Sequence, residues 1–268
     1  MKGGLCMNTC FLYGSLGGDI IGSRYEHHNI KDKSFDLFSE RSHLTDDSIM
    51  TIATADAIIH AYSFEDAYQT WGNRYPKAGY GFSFRKWLKS TTPLPYNSWG
   101  NGAAMRVSPV GYAALDIQEA LNKAKATAEV THNHPEGIKG AQAAALAVFM
   151  AKMNFSKESI KMEIEHRFGY DLSSRTLNDI RPNYSFDVSC QGTLPVALLA
   201  FLESSSYEDA IRNAISVGGD SDTIAAIAGG IALAFYKKMP ELIIQEIEKR
   251  LPVDIKKVCS DFNEYCML

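Results

Sequence analysis

Two short segments gather carboxylates and hydroxyls in a pattern that can do chemistry. Thr45-Asp46-Asp47 stands just before an apolar run that begins near Ile49. Gly218-Gly219-Asp220-Ser221-Asp222-Thr223 stands just before the most apolar stretch of the chain. Either segment alone is explained as a helix N-cap, because Ser, Thr and Asp are favoured there and carboxylates complement the helix dipole. A cap needs one acceptor, however, and each segment offers two carboxylates and a hydroxyl. The second set opens a helix too apolar for the surface, which aims its acids into a cleft. Four carboxylates gathered there repel one another unless cations bind or protons are taken up. Oxygen ligands without His or Cys suit Mg²⁺, Mn²⁺ or Ca²⁺ and argue against Zn²⁺. With a bridging carboxylate, two such ions can lie ~3.5–4 Å apart, as in many two-metal hydrolases.

Helices must position these acids. Apolar residues recur at helical spacing over residues 48–62, 117–129, 140–153, 194–203, 207–217, 223–238 and 241–250. Residues 141–150 and 223–235 are apolar on every side, the mark of helices buried at the centre of a bundle. The stretches 29–44, 74–82, 91–101 and 171–192 are irregular and carry the Gly, Pro, aromatic and polar residues from which sites are built. Only residues 184–188 hint at a strand. The expected fold is all-α: a single compact multi-helix bundle with a dinuclear metal cleft, forming one domain over residues 1–268.

Composition narrows the functional classes. Of 268 residues, 46% are hydrophobic and 22% charged, enough for one sizeable core. A net charge of −4 without basic runs disfavours free nucleic acid as a partner. The five cysteines, Cys6, Cys10, Cys190, Cys259 and Cys266, form no metal-binding spacing and read as reduced thiols. The amino terminus does not read as a signal peptide, and the longest apolar stretch falls short of the ~20 residues that span a bilayer. A soluble, cytoplasmic protein with no membrane partner is expected.

The segment Gly14-Ser15-Leu16-Gly17-Gly18-Asp19-Ile20-Ile21-Gly22, followed by Glu26, resembles the amino-terminal signature of the ADP-ribosylglycohydrolase family. Thr45-Asp46-Asp47-Ser48 resembles that family's first metal motif, and Gly219-Asp220-Ser221-Asp222-Thr223 its second. Between them, residues 98–106 (SWGNGAAMR) are similar to its substrate loop and Thr131-His132-Asn133-His134-Pro135 to its Thr-His element. The motifs occur in family order over nearly the whole chain.

The resemblance implies two Mg²⁺ ions (Mn²⁺ as an alternative), held by Thr45, Asp46, Asp47, Asp220, Asp222 and Thr223, with Asp222 bridging. Glu26 falls where the family has a mobile acid that governs access. Ser98, Trp99, Gly100, Asn101 and Gly102 should surround the diphosphate, partly through backbone N–H groups, with Asn101 bonding ribose or phosphate. His132 would meet the adenosine end, and Gly79 and Gly81 the distal ribose. Arg106 reads as a structural ion-pair residue and His134 as a structural histidine. The implied substrate is an ADP-ribose conjugate, such as an ADP-ribosylated protein. It would be hydrolysed at C1″ through an oxocarbenium-like state with Glu26, Asp46 or Asp47 as base. Two rivals use the same residues: a two-metal phosphoesterase on a helical scaffold, and a catalytically silent nucleotide-binding module.

Overall fold

A computed structural model describes residues 9–268, so the expectations attached to Cys6 and to the first residues lie outside the described residues. These contain fourteen α-helices: α1 (Tyr13–Gly22), α2 (Asp46–His60), α3 (Phe64–Arg74), α4 (Phe82–Leu88), α5 (Ser108–Ala113), α6 (Ile117–Glu129), α7 (Pro135–Lys152), α8 (Lys157–Phe168), α9 (Leu177–Ile180), α10 (Cys190–Leu202), α11 (Tyr207–Ile215), α12 (Ser221–Tyr236), α13 (Glu241–Arg250) and α14 (Val253–Met267). A 3-10 turn covers Asn101–Ala103. The protein is all-α. The segment 184–188 forms no strand, and next to it lies only an isolated bridge between Gly100 and Ser189. No helix among the described residues is long and apolar enough to cross a membrane.

The two helices without a polar face take the centre. α12 is buried from Ser221 through Ala234, and α7 from Ala143 through Ala151. α1 lies against α12 because Gly14, Gly18 and Gly22 recur every four residues and so share one helix face. A Cβ on Gly18 would sit 2.1 Å from the Ala225 carbonyl oxygen. One on Gly14 would sit 2.6 Å from the Gly229 oxygen, and one on Gly22 2.5 Å from the Asp222 Cα. The two backbones touch, and the contact sets Asp19 of α1 beside the acids that open α12.

Four helices, α2, α7, α10 and α12, begin earlier than their apolar spacing suggests, whereas α6, α11 and α13 begin where it places them. α2 starts at Asp46, and its cap Thr45 accepts the Asp47 N–H at 3.3 Å. α7 starts at Pro135, where His134 Nδ1 accepts the Glu136 N–H at 3.1 Å. Buried spacing reports where a helix touches the core, whereas its polar first turn is specified by caps. Helices α1, α3, α4, α5, α8, α9 and α14 lie outside the ranges drawn from periodicity. In α8 only Ile160 and Ile164 are buried, too few to make a stripe.

Candidate active site

Three helix ends supply the acids: the carboxyl half of α1 and the first turns of α2 and α12. One carboxylate oxygen each from Asp19, Asp47 and Asp222 lies within 4.8 Å of the others, and the same holds for Glu26, Asp220 and Asp222. Asp222 belongs to both groups, as a bridging ligand must. Asp46 belongs to neither. Its Oδ1 instead faces Gly79, where a Cβ would lie 3.4 Å away.

Asp19 is the member of the acid groups that was not among the residues expected from the sequence. Its Oδ1 accepts the Thr45 hydroxyl at 2.7 Å. Its Oδ2 accepts the N–H groups of Thr45 (3.0 Å) and Ser48 (3.1 Å) together with the Ser48 hydroxyl. It is fully buried and does not line the cleft, so it acts as the post to which the first acid segment is tied. An acid inside an otherwise small and apolar helix was the available signal.

No ion pair among the described residues reaches Asp19, Asp46, Asp47, Asp220 or Asp222; Glu26 has only His27, at 3.7 Å. Burial therefore raises every carboxyl in the group, and neighbouring carboxylates add to the shift at Glu26, Asp46, Asp47 and Asp222. Asp47 and Asp222 are held well above the usual range by desolvation first and neighbouring aspartates second. Asp46 is pushed up to about 8 by desolvation and Asp19. Desolvation also raises Asp19, Asp220 and Glu26. Asp47 Oδ1 and Asp222 Oδ1 are buried without any hydrogen-bond partner among the described residues, although each of these residues contributes to the acid groups. Buried acceptors left open in this way fit hard divalent cations.

The N-cap explanation separates the two segments. Thr45 does cap α2. Asp220 occupies the cap position of α12 but makes no side-chain cap bond. Its Oδ2 instead accepts from Asn101 Nδ2 at 2.7 Å. Thr223 Oγ1 donates to Asp47 Oδ2 at 3.2 Å and joins the two acid segments directly. Asn29 secures the loop that carries Glu26: its Nδ2 donates to the carbonyls of Glu26 and Gly219, both at 2.9 Å, and its Oδ1 accepts the Gly219 N–H at 2.8 Å. Gly219 has φ +74, and a Cβ there would lie 2.5 Å from the Tyr184 ring, so this turn requires glycine.

The acids face a cleft of about 770 Å³, in the size range of small-molecule sites. Glu26, Thr45, Asp46, Asp47, Gly79, Gly81, Ser98, Trp99, Gly100, Asn101, Gly102, His132, Asp220, Asp222 and Thr223 all line it. Three expected roles change in detail. The N–H of Gly100 is given to Ser98 Oγ (3.1 Å) and that of Asn101 to the Val188 carbonyl (2.7 Å), so neither is free for a phosphate. The Asn101 amide nitrogen is committed to Asp220 and to Thr193 Oγ1 (3.1 Å), which leaves only its Oδ1 for a ligand. Arg106 is structural but makes no ion pair among the described residues; it donates to the Thr127 carbonyl and to Thr131 Oγ1. Trp99 is 52% exposed, with its ring centre 5.5 Å from that of His134, and keeps surface free at the rim.

Comparison with known proteins identifies the family. The family model described as ADP-ribosylglycohydrolase matches residues 10–267. The chain is 27% identical to the ADP-ribosylhydrolase ARH3 of Homo sapiens, over 91% of this chain and 90% of that protein. It is 25% identical to the ADP-ribosyl-[dinitrogen reductase] glycohydrolase of Rhodospirillum rubrum, over 63% of this chain and 58% of that protein. A solved structure described as an ADP-ribosylglycohydrolase-related protein complex shares the fold with a TM-score of 0.71 at 22% identity, covering 96% of both chains. With the family model matched across nearly its whole length, the chain belongs to the ADP-ribosylglycohydrolase family.

Proposed function

We propose that the protein is a metal-dependent hydrolase that cleaves the C1″ bond between ADP-ribose and its acceptor, acting as one domain. The observation that carries this reading is the pair of open, buried carboxylate oxygens on Asp47 and Asp222 within the ADP-ribosylglycohydrolase fold. Two Mg²⁺ or Mn²⁺ ions would be held by Thr45, Asp46, Asp47, Asp220, Asp222 and Thr223. Bound there, such ions supply Lewis acidity toward ribose hydroxyls and lower the pKa of water. Asp19 holds Thr45 and Ser48 in place, and Asn101 orients Asp220. Glu26 and Asp46 are only half-buried in the cleft, whereas Asp47 is buried and bonded to Thr223. Accessibility therefore makes Glu26 or Asp46 the base. His132 and Trp99 stand where the nucleotide end would lie. Relatives named as an ADP-ribosylhydrolase and as an ADP-ribosyl-[dinitrogen reductase] glycohydrolase support an ADP-ribose conjugate, including an ADP-ribosylated protein, as substrate.

The test is incubation with arginine-linked, serine-linked and acetyl-ester ADP-ribose, with and without EDTA, while products are followed by chromatography. Intact ADP-ribose released only without EDTA is the expected outcome. AMP with the ribose phosphate still attached to its acceptor would favour the phosphoesterase reading, and binding without turnover the silent module.

A further inference from the structure

Behind the substrate loop lies a buried arginine with no carboxylate. Arg106 is 1% exposed, and no ion pair among the described residues reaches it. Its Nη2 donates to the Thr127 carbonyl and to Thr131 Oγ1, both at 2.8 Å, and its guanidinium carbon stands 4.3 Å from the centre of the Tyr68 ring. A guanidinium only donates, so Thr131 Oγ1 accepts in that bond and its own hydrogen remains to be placed. The other partner of the hydroxyl among the described residues is His132 Nδ1, at 2.7 Å. Thr131 is fully buried, and a hydroxyl hydrogen aimed elsewhere would lose a bond with no water to replace it. The hydroxyl therefore donates to Nδ1.

A neutral imidazole that accepts at Nδ1 carries its hydrogen on Nε2. That nitrogen faces the substrate loop, 3.1 Å from where a Cβ of Gly102 would lie and 3.4 Å from one of Gly100. No hydrogen bond to Nε2 is formed by the described residues, and His132 lines the cleft. Burial and the nearby Arg106 charge hold the imidazole well below its ordinary pKa, consistent with a neutral ring.

We propose that Arg106 and Thr131 are positioning residues that lock His132 in the Nε2–H tautomer, so that it presents a single hydrogen-bond donor to an acceptor atom of the nucleotide. The direction of the chain, from Arg106 to Thr131 to His132 to ligand, follows from the one member that cannot accept. The bond to ligand rests on the proposed nucleotide site, whereas the tautomer is a property of the free protein.

The experiment is a long-range ¹H–¹⁵N correlation spectrum of the ligand-free full chain, with His132 assigned by the loss of its signals in His132→Gln. The expected pattern is a protonated Nε2 and an unprotonated Nδ1. A protonated Nδ1, or an imidazolium, overturns the proposal. Thr131→Val, which keeps the shape and removes the hydroxyl, should mix the two tautomers and weaken ADP-ribose binding by about tenfold, the scale of one neutral hydrogen bond. Thr131→Ser should restore both, and it keeps the test alive if Thr131→Val does not fold. A Thr131→Val protein with the wild-type spectrum and affinity overturns the lock. A locked tautomer in a protein that binds no ADP-ribose instead overturns the nucleotide site and leaves the lock standing.

Discussion

Asp222→Asn removes the charge shared by both acid groups, and its effect should reverse sign with the metal. Each partner oxygen lies within 4.8 Å of an Asp222 oxygen. At an effective dielectric constant of ~20, two unit charges at that separation repel by about 3 kcal/mol. Proton uptake relieves part of this in the wild type, because Asp47 and Asp222 both sit well above the ordinary carboxylate range. The variant should therefore be about 1–3 kcal/mol more stable than the wild type in EDTA at mildly alkaline pH. Saturating Mg²⁺ should stabilise the wild type by mass action and leave the variant almost unmoved and inactive. Urea unfolding under both conditions, beside an activity assay on the same preparation, reads all of this. A variant destabilised by ~1 kcal/mol in EDTA yet fully active would mean that Asp222 is only a helix-start residue.

The same cluster sets a pH dependence. Its folded-state pKa values lie above the unfolded ones, so the native state binds more protons between them. Stability in EDTA should then fall as pH rises from about 4 through the region near 8 where Asp46 titrates, and Mg²⁺ should flatten the slope; a stability that rises with pH in EDTA would contradict the shifts. Gly18→Ala places a Cβ 2.1 Å from the Ala225 oxygen and should cost at least 1–3 kcal/mol in urea unfolding; an unchanged midpoint would mean that α1 and α12 pack less closely than described. Asn101→Ala leaves Asp220 without its amide donor and should weaken both Mg²⁺ and ADP-ribose binding in calorimetry, whereas a loss confined to ADP-ribose would make Asn101 a ligand contact alone.

Much of the candidate site is legible because its acids and hydroxyls stand in contiguous residues. Thr45-Asp46-Asp47 and Asp220-Ser221-Asp222-Thr223 each declare themselves within a few positions, and the two all-apolar helices reveal their burial. What could not be read depends on tertiary approach. Asp19 becomes part of the site only because Gly14, Gly18 and Gly22 let α1 touch α12, and its four hydrogen bonds come from residues 26 and 29 positions away. The bond from the Asn101 amide to Asp220, far along the chain, has no local signal either. Arg106 invited an ion pair because a buried charge normally has one, yet its partners are a carbonyl, a hydroxyl and an aromatic face. The early starts of α2, α7, α10 and α12 have a simpler reason: their first turns carry no apolar spacing.

The central claim is that the acid groups hold divalent ions against an ADP-ribose bound in the cleft. Anomalous diffraction from crystals grown with Mn²⁺ and ADP-ribose tests it most directly. The account predicts one peak against Asp47 and Asp222 and a second against Asp220 and Asp222, with the distal ribose beside them and the nucleotide running toward His132. Full ADP-ribose density in the cleft with no anomalous peak at these carboxylates would contradict it.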